Sequence, residues 1–249
     1  MKLVEWNCHI GFNDTKKQYI STLNADIYII AECLESDFSG LFKFVKYQSF
    51  YTDKLENDYG IAICSNTYRI ERLPTLKDYR FVVPFKVSNG IKEFIIFAIW
   101  TKIKGKYQTY TEQIWNALND PQYAKLLEGN IIITGDFNTG NYWNKDYQSQ
   151  NIPSHQQIVD ELNEHGIKSA YHVFNNCEQG NEHDSTLHFM YKTDAKNQFH
   201  IDYCFYSSNF VVNNVVLENV KEWSINKYSD HSPLIIDFGI DRIQENLNA

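Results

Sequence analysis

At 249 residues, 43% of them hydrophobic and 15% aromatic, the chain is long enough for one large core or two small ones and has plenty to bury. No apolar run approaches the roughly 18 residues of a membrane span, and Met1-Lys2-Leu3-Val4-Glu5 lacks the apolar stretch of a signal peptide, so a soluble, cytoplasmic protein without membrane contact is expected. The net charge of -8 counts against a non-specific binder of duplex nucleic acid, which carries a basic excess to displace counterions.

In chain order, Lys2 to Asn7 and Ile27 to Ala31 read as short strands flanking a helix that starts at Asn13 or Asp14 and turns Ile20 and Leu23 inward. Phe44 to Tyr51, Gly60 to Cys64, Tyr68 to Arg72, Arg80 to Val87 and Glu93 to Ile99 follow as β-rich segments separated by turn residues, a pattern of antiparallel pairing. A helix runs from about Tyr107 to Leu118, with a second piece through Leu127. Asn130 to Thr134 is a strand. Ser154 then caps a helix, with Gln157 three residues on, Ile158 and Leu162 on one face, and Gly166 closing it in a left-handed conformation. Phe199 to Tyr206, Phe210 to Leu217 and Pro233 to Phe238 complete the strands. With no repeat, low-complexity tract or linker, residues 1–249 are expected to form a single domain of the α+β class. Its expected architecture is a four-layer α/β/β/α sandwich of two mostly antiparallel sheets flanked by helices. The five cysteines contain no Cys-x-x-Cys pair, and Cys8, Cys33, Cys64 and Cys204 lie in or beside apolar segments, as reduced core thiols do.

Polar groups recur where these strands end: Asn7 after Trp6, Glu32 after Ala31, Asp136 and Asn138 after Ile133, Asp202 inside His200-Ile-Asp-Tyr-Cys-Phe205, and Asp230-His231 before Pro233. Taken alone, Asp136-x-Asn138 between glycines reads as a turn, and Glu32 as a carboxylate leaving a strand. Asp202 is different, because an unpaired carboxylate within an apolar strand costs several kcal/mol. It needs a partner, and His231 is the candidate. Glu32, Asp136 and Asp230 then remain as hard oxygen ligands, with Asn7 and Asn138 as neutral ones, a set suited to Mg²⁺ or Mn²⁺ rather than zinc. Glu32, Asp136, Asp202 and Asp230 also account for half of the net charge of -8, and a bound divalent cation would cancel more.

Trp6-Asn7, Ala31-Glu32, Gly135-Asp136-Phe137-Asn138, His200-Ile201-Asp202-Tyr203 and Ser229-Asp230-His231-Ser232-Pro233 stand in an order and spacing that resembles the endonuclease/exonuclease/phosphatase superfamily, which includes exonuclease III-like, DNase I-like and inositol-phosphatase-like enzymes. The resemblance runs from residue 6 to about 238 and implies the same two-sheet sandwich. It implies Glu32 as the principal Mg²⁺ ligand, with Asp230 near the metal and Asn7 at the same edge. Asp136 is implied as the residue that orients or deprotonates the attacking water, with Asn138 as its hydrogen-bonding neighbour. His231, held by Asp202, is implied to bind the scissile phosphate or act as the base.

The chain departs from that pattern at two places. His9 stands where exonuclease III-like enzymes commonly carry an acidic residue, and Trp100 where a histidine or tyrosine serves the leaving group. His9, His155, Tyr110 or a metal-bound water are the remaining candidates for that role. Lys102, Lys104 and Lys106 with Tyr107 and Tyr110 read either as a solvated edge or as a backbone-tracking groove with stacking surface beside Trp100. Tyr142 and Trp143 read either as an extension of that platform or as loop packing.

The expected function is a divalent-metal-dependent phosphodiester hydrolase, a DNA nuclease of endo-, exo- or repair type, with nucleic acid as substrate and no obligate protein partner. The alternative is hydrolysis of a small phosphoester such as a nucleotide, inositol phosphate or lipid headgroup. A non-enzymatic binding module with a decayed site would lack the full Glu, Asp, Asn and His set found here.

Overall fold

The computed structural model describes residues 1–50, 59–75, 77, 79–102, 109–189, 197–225 and 228–239. In chain order its elements are β1 (Lys2–Asn7), α1 (Asp14–Thr22), β2 (Ile27–Cys33), β3 (Phe44–Ser49), β4 (Gly60–Ser65), β5 (Arg69–Arg72), β6 (Val82–Ser88), β7 (Glu93–Trp100), α2 (Tyr110–Leu118), α3 (Pro121–Leu127) and β8 (Ile131–Asp136). They continue with α4 (Asn144–Ser149), α5 (His155–Glu164), β9 (Lys168–Ser169), α6 (Ala170–Asn175), β10 (Leu187–His188), β11 (Gln198–Phe199), β12 (Asp202–Tyr206), β13 (Val211–Leu217), α7 (Val220–Ile225) and β14 (Leu234–Gly239). No helix among the described residues is long and apolar enough to cross a membrane.

Two six-stranded sheets carry the fold, one in the order β13-β14-β1-β2-β4-β3 and the other β5-β6-β7-β8-β12-β9. Each has one parallel pair, β1 with β2 and β7 with β8, and is otherwise antiparallel, as expected of mostly antiparallel sheets. Strand alternation sorts the residues into layers. Along β1, Leu3 faces the space between the sheets with Ile29, Ile63, Phe85, Ile96, Ile132 and Ile236. Val4 and Trp6 face outward against Ile20 of α1, Phe38 and Trp223 of α7. The outer face of the second sheet, through Phe97, Ile131 and Ile133, packs on Ile114, Leu118, Tyr123 and Leu127 of α2 and α3 and on Ile158 and Leu162 of α5. The result is the expected four layers, helices outside and sheets inside.

Local chemistry fixes the helix ends. Asn13 accepts from the Lys16 amide at 3.1 Å to start α1, and the capping box expected at Ser154 and Gln157 starts α5. Thr109 and Glu112 form another such box at α2, where the expected residues Tyr107 and Gln108 lie outside the described residues. Gly166 follows α5 at φ +71°, the left-handed conformation expected of it.

Three expectations change. The strand ending at Thr134 runs on through Gly135 and Asp136, because both keep their pairing with Ile99 and Trp100 on one side and Tyr203 and Asp202 on the other. The strand expected from Phe199 to Tyr206 is broken at His200 and Ile201. Its first part pairs with Leu187 and His188 in a separate two-stranded ribbon. The six-residue helices α4, α6 and α7 were not expected, being too short to establish a hydrophobic period.

His155, the first residue of α5, is fully buried, with its ring 4.8 Å from that of Tyr203. Burial pushes its pKa down to about 4, against about 6.5 in an unfolded chain. The neutral ring therefore contributes stability that is fully present above about pH 6.5 and is lost as pH falls towards 4, because the unfolded chain takes the proton first. The loss reaches about 3 kcal/mol at the acid end. Urea unfolding of the wild type and of His155→Phe at pH 7 and pH 4.5 checks this. The variant should lose clearly less stability between the two pH values.

Candidate active site

The two parallel pairs end at the same edge of the sandwich. Asn7 closes β1, and its Nδ2 donates to Asp136 Oδ2 of the opposite sheet at 2.9 Å and to Glu32 Oε1 of its own sheet at 3.2 Å. Asn138, at φ +49°, takes the left-handed conformation that asparagine tolerates best after glycine. That turn lets its amide reach Asp136 Oδ1 and its Nδ2 reach Asp136 Oδ2, both at 2.8 Å, while Nδ2 also donates to the Thr101 carbonyl at 2.9 Å. Both oxygens of Asp136 thus have fixed donors. Even so, burial and then the Asp202 carboxylate push its pKa up to about 8.

The glycines around this turn serve close approach. A Cβ on Gly135, at φ +145°, would overlap the Ile99 carbonyl of the neighbouring strand. Gly140 is extended, and a Cβ there would stand 3.0 Å from the His200 carbonyl and 3.2 Å from the Tyr203 hydroxyl.

The expected partnership of Asp202 and His231 is present. Asp202 faces Asp136 across the β8–β12 ladder, and its oxygens lie 2.9 and 3.1 Å from His231 Nδ1. Its strand position is held by Thr186, whose Oγ1 accepts from the Ile201 and Asp202 amides at 3.0 and 3.1 Å. Ser229 holds the histidine: its Oγ donates to the Asn7 carbonyl at 2.7 Å and accepts from the His231 amide at 3.0 Å. Burial opposes a charge on His231, but Asp202 and Asp136 outweigh it and hold the imidazole pKa well above its usual value. His231 Nε2 lies 4.0 Å from Asp136 Oδ2, too far for a hydrogen bond. An oxygen atom about 2.8 Å from both groups is compatible with that separation.

Glu32 sits at a break in the β2–β4 register, at φ +60°, so the bulge turns it out of the strand alternation. Its Oε2 accepts from the Ile10 amide at 3.0 Å. Asp230 is buried, and its Oδ1 lies 3.0 Å from His9 Nδ1. His9 thus occupies the place of the missing acidic residue by pairing with an acid itself. Asn7 is the shared neighbour, since its Oδ1 also accepts from the His9 amide at 3.0 Å.

These placements sort the remaining expectations. Tyr110 and Trp143 line a cavity of about 430 Å³ that begins at Asn138 and continues past Tyr147, Phe189 and Phe199. Tyr142 stands beside it, its ring 5.6 Å from that of Phe199 and its hydroxyl accepting from the His200 amide at 3.4 Å. Lys102 is exposed, with its ammonium 5.3 Å from the Trp100 ring centre, and Lys104 lies outside the described residues. The expectation that Trp100 contacts substrate is corrected: it is 1% exposed and packs on Phe50 between the sheets, leaving no face to stack on. Parallel pairing with Asp136 places it on the inward face of its strand. His155 is likewise removed from leaving-group chemistry, because it lies under α5 on the far face of the second sheet.

One site residue escaped the sequence reading. Glu5 is fully buried, two residues before Asn7 on the same face of β1, and neither carboxylate oxygen has a hydrogen-bond partner. Burial, then Asp202 and Asp136, raise its pKa well above the usual carboxylate value, which favours the protonated acid. Period-two alternation from Asn7 was the signal that could have found it.

The donor set fits a hard divalent cation. Glu32, Asp136 and Asp230 supply carboxylates, and Asp136, Asp202 and His231 form the one group of close metal-ligating atoms found among the described residues. Cys8, whose Sγ donates to the Glu32 carbonyl at 3.4 Å, is kept as a thiol by burial, which argues against a thiolate site. Like-charged carboxylates crowded in a buried edge are the condition a cation relieves.

No protein-family model and no curated protein sequence matches the chain. Solved structures do match. An AP endonuclease from Archaeoglobus fulgidus is similar with a TM-score of 0.67 and 14% identity, over 96% of this chain and 100% of that one. The human Nocturnin catalytic domain gives 0.62 and 16%, over 97% and 93%. An endonuclease/exonuclease/phosphatase protein from Bacteroides vulgatus gives 0.62 and 16%, over 96% and 98%. The chain therefore has the fold of the endonuclease/exonuclease/phosphatase proteins, in agreement with the resemblance in its motifs.

If Asp202 holds the charge on His231, Asp202→Asn should bring the His231 pKa down towards the ordinary imidazole value. A ¹H–¹⁵N NMR titration of the ring reads this directly, and an unchanged midpoint would refute the assignment.

Proposed function

We propose that the chain is a divalent-metal-dependent phosphodiester hydrolase acting on DNA, working as a single catalytic domain over residues 1–249. The observation that carries this reading is the facing of two prepared groups: Asp136, fixed by Asn7 and Asn138, and the His231–Asp202 pair 4.0 Å away. Asp136 is suited to orient a water, and its raised pKa makes it, once ionised, a stronger proton acceptor than an ordinary carboxylate. His231, charged and donating from Nε2, binds a non-bridging oxygen of the scissile phosphate, while Asp202 keeps its Nδ1 proton in place. Glu32 and Asp230, with Asn7 at the same edge, are the residues that would hold Mg²⁺ or Mn²⁺. When bound, such an ion supplies neutralisation of the charge that develops on the phosphoryl oxygens. His9 keeps Asp230 oriented through its Nδ1, 3.0 Å from Oδ1.

The cavity next to Asn138 favours nucleic acid over a polyhydroxylic headgroup. Tyr110, Trp143, Tyr147, Phe189 and Phe199 give it aromatic walls, the surface on which a base outside its stack finds partners. Tyr142 and Lys102 are proposed as further substrate contacts. A small phosphoester remains the second reading, favoured by the net charge of -8.

With Mg²⁺ or Mn²⁺, plasmid, single-stranded, abasic and 3′-recessed DNA should be tested beside a small phosphodiester; hydrolysis of the small ester with every DNA untouched selects the second reading. Asp136→Ala, Glu32→Ala and His231→Ala should each lower turnover by at least about 100-fold while circular dichroism stays native. Normal turnover in any of them removes its assigned role. Trp143→Ala should raise KM for single-stranded DNA about tenfold, as loss of one base stack does, with little change for the small diester. Equal effects on both substrates would show that Trp143 only packs the loop.

A further inference from the structure

Lys16 stands in the first turn of α1, where the positive end of the helix dipole disfavours a cation, and it is 5% exposed. Two costs therefore oppose an ammonium at this position. What offsets them is a complete set of acceptors: Nζ donates to the carbonyls of Cys8, of His9 at 3.1 Å and of Gly11 at 2.7 Å, three acceptors for its three hydrogens.

The loop that offers those carbonyls is strained. His9, Ile10 and Gly11 follow one another at φ +48°, +49° and +95°. Positive φ is a genuine outlier for a β-branched residue, and Ile10 is 59% exposed, so packing of its side chain does not impose the conformation. The effect of the conformation is to divide the loop's polar groups. The carbonyls turn to Lys16. The amides turn the other way, Gly11 to the Glu32 carbonyl at 2.9 Å, Ile10 to Glu32 Oε2 at 3.0 Å and His9 to Asn7 Oδ1 at 3.0 Å.

We propose that Lys16 is a positioning residue of the metal site: by collecting the Cys8, His9 and Gly11 carbonyls it holds the loop in the left-handed form that aims the Ile10 amide at Glu32 and the His9 ring at Asp230. This rests on the reading of Glu32 and Asp230 as metal ligands. Without the ammonium, three carbonyls lose their donor and Ile10 returns to negative φ. Glu32 then loses the amide that fixes Oε2, and a cation finds its carboxylates disordered.

The test measures Mn²⁺ binding by calorimetry and melting in EDTA for the wild-type chain, Lys16→Met, Ile10→Gly and the double variant. Lys16→Met should weaken Mn²⁺ binding 10- to 100-fold, the usual cost of losing a partner behind the ligands. Ile10→Gly removes the left-handed penalty, so it should bind Mn²⁺ at least as tightly as the wild type and return part of the loss in the double variant. Wild-type affinity in Lys16→Met, or a double variant that binds no better than Lys16→Met, overturns the proposal. A fall confined to the EDTA melting temperature, with Mn²⁺ affinity kept, also overturns it, because it shows a purely structural lysine. Should Lys16→Met fail to fold, Lys16→Arg carries the test. A planar guanidinium cannot converge on three carbonyls, so Mn²⁺ binding should weaken several-fold, and unchanged affinity refutes the role. A wild-type chain that binds no Mn²⁺ removes the metal reading itself, and is told apart by failing before any variant is compared.

Discussion

The Asn7 carboxamide crosses from one sheet to the other, and the polar edge of the sandwich is arranged around it. Its Nδ2 is shared between Glu32 and Asp136, its Oδ1 is taken by the His9 amide, and its backbone carbonyl receives the Ser229 hydroxyl that also holds His231. Three separate stretches of chain, at Glu32, Asp136 and Ser229, therefore meet on one residue. Because the group is neutral, it can link two carboxylates without neutralising either, which leaves their charge for a cation or a proton. An aspartate there would add repulsion to an edge that already raises the pKa of Asp136 to about 8, and an aliphatic residue would remove this hydrogen bond between the sheets.

Backbone strain gathers at the same edge. Glu32, Asn138, His9 and Ile10 all have positive φ, and each carries a side chain or amide into the polar network. Regular strands would point these groups alternately in and out of the sheet. A bulge at Glu32 and left-handed turns at His9, Ile10 and Asn138 break the alternation where successive groups must converge. The local cost is met by hydrogen bonds on both sides of each turn, as expected where strain is over-determined by its surroundings.

The sequence made the layers and much of the site legible for identifiable reasons. Long apolar strands alternate in and out, so their existence could be read even where an end was misplaced, and the cost of burying Asp202 alone pointed to His231 as its partner. Other features depended on information that a linear pattern does not carry. Trp100 looked like surface because it precedes a lysine-rich stretch, but its register with Asp136 turns it inward. Gly135 and Gly140 looked like turn residues, whereas one meets the Ile99 carbonyl and the other the His200 carbonyl, both contacts distant in sequence. Lys16 carries no signal in the linear sequence, where it is one lysine near the start of a short helix. Nothing in the spacing shows three carbonyls of a preceding loop folding back on it.

Glu5 shows what the edge demands of the core beneath it. For a carboxylic acid without a partner, between two sheets and beside Asp136 and Asp202, burial and the neighbouring carboxylates favour the protonated form. As a neutral acid it adds no charge to the pair above, yet keeps a polar group where an aliphatic side chain would otherwise continue the core. Ionised carboxylates of the cluster are thereby limited to those that have donors from Asn7, Asn138, Ile10 or His231. A further unpaired charge one layer deeper would only oppose folding.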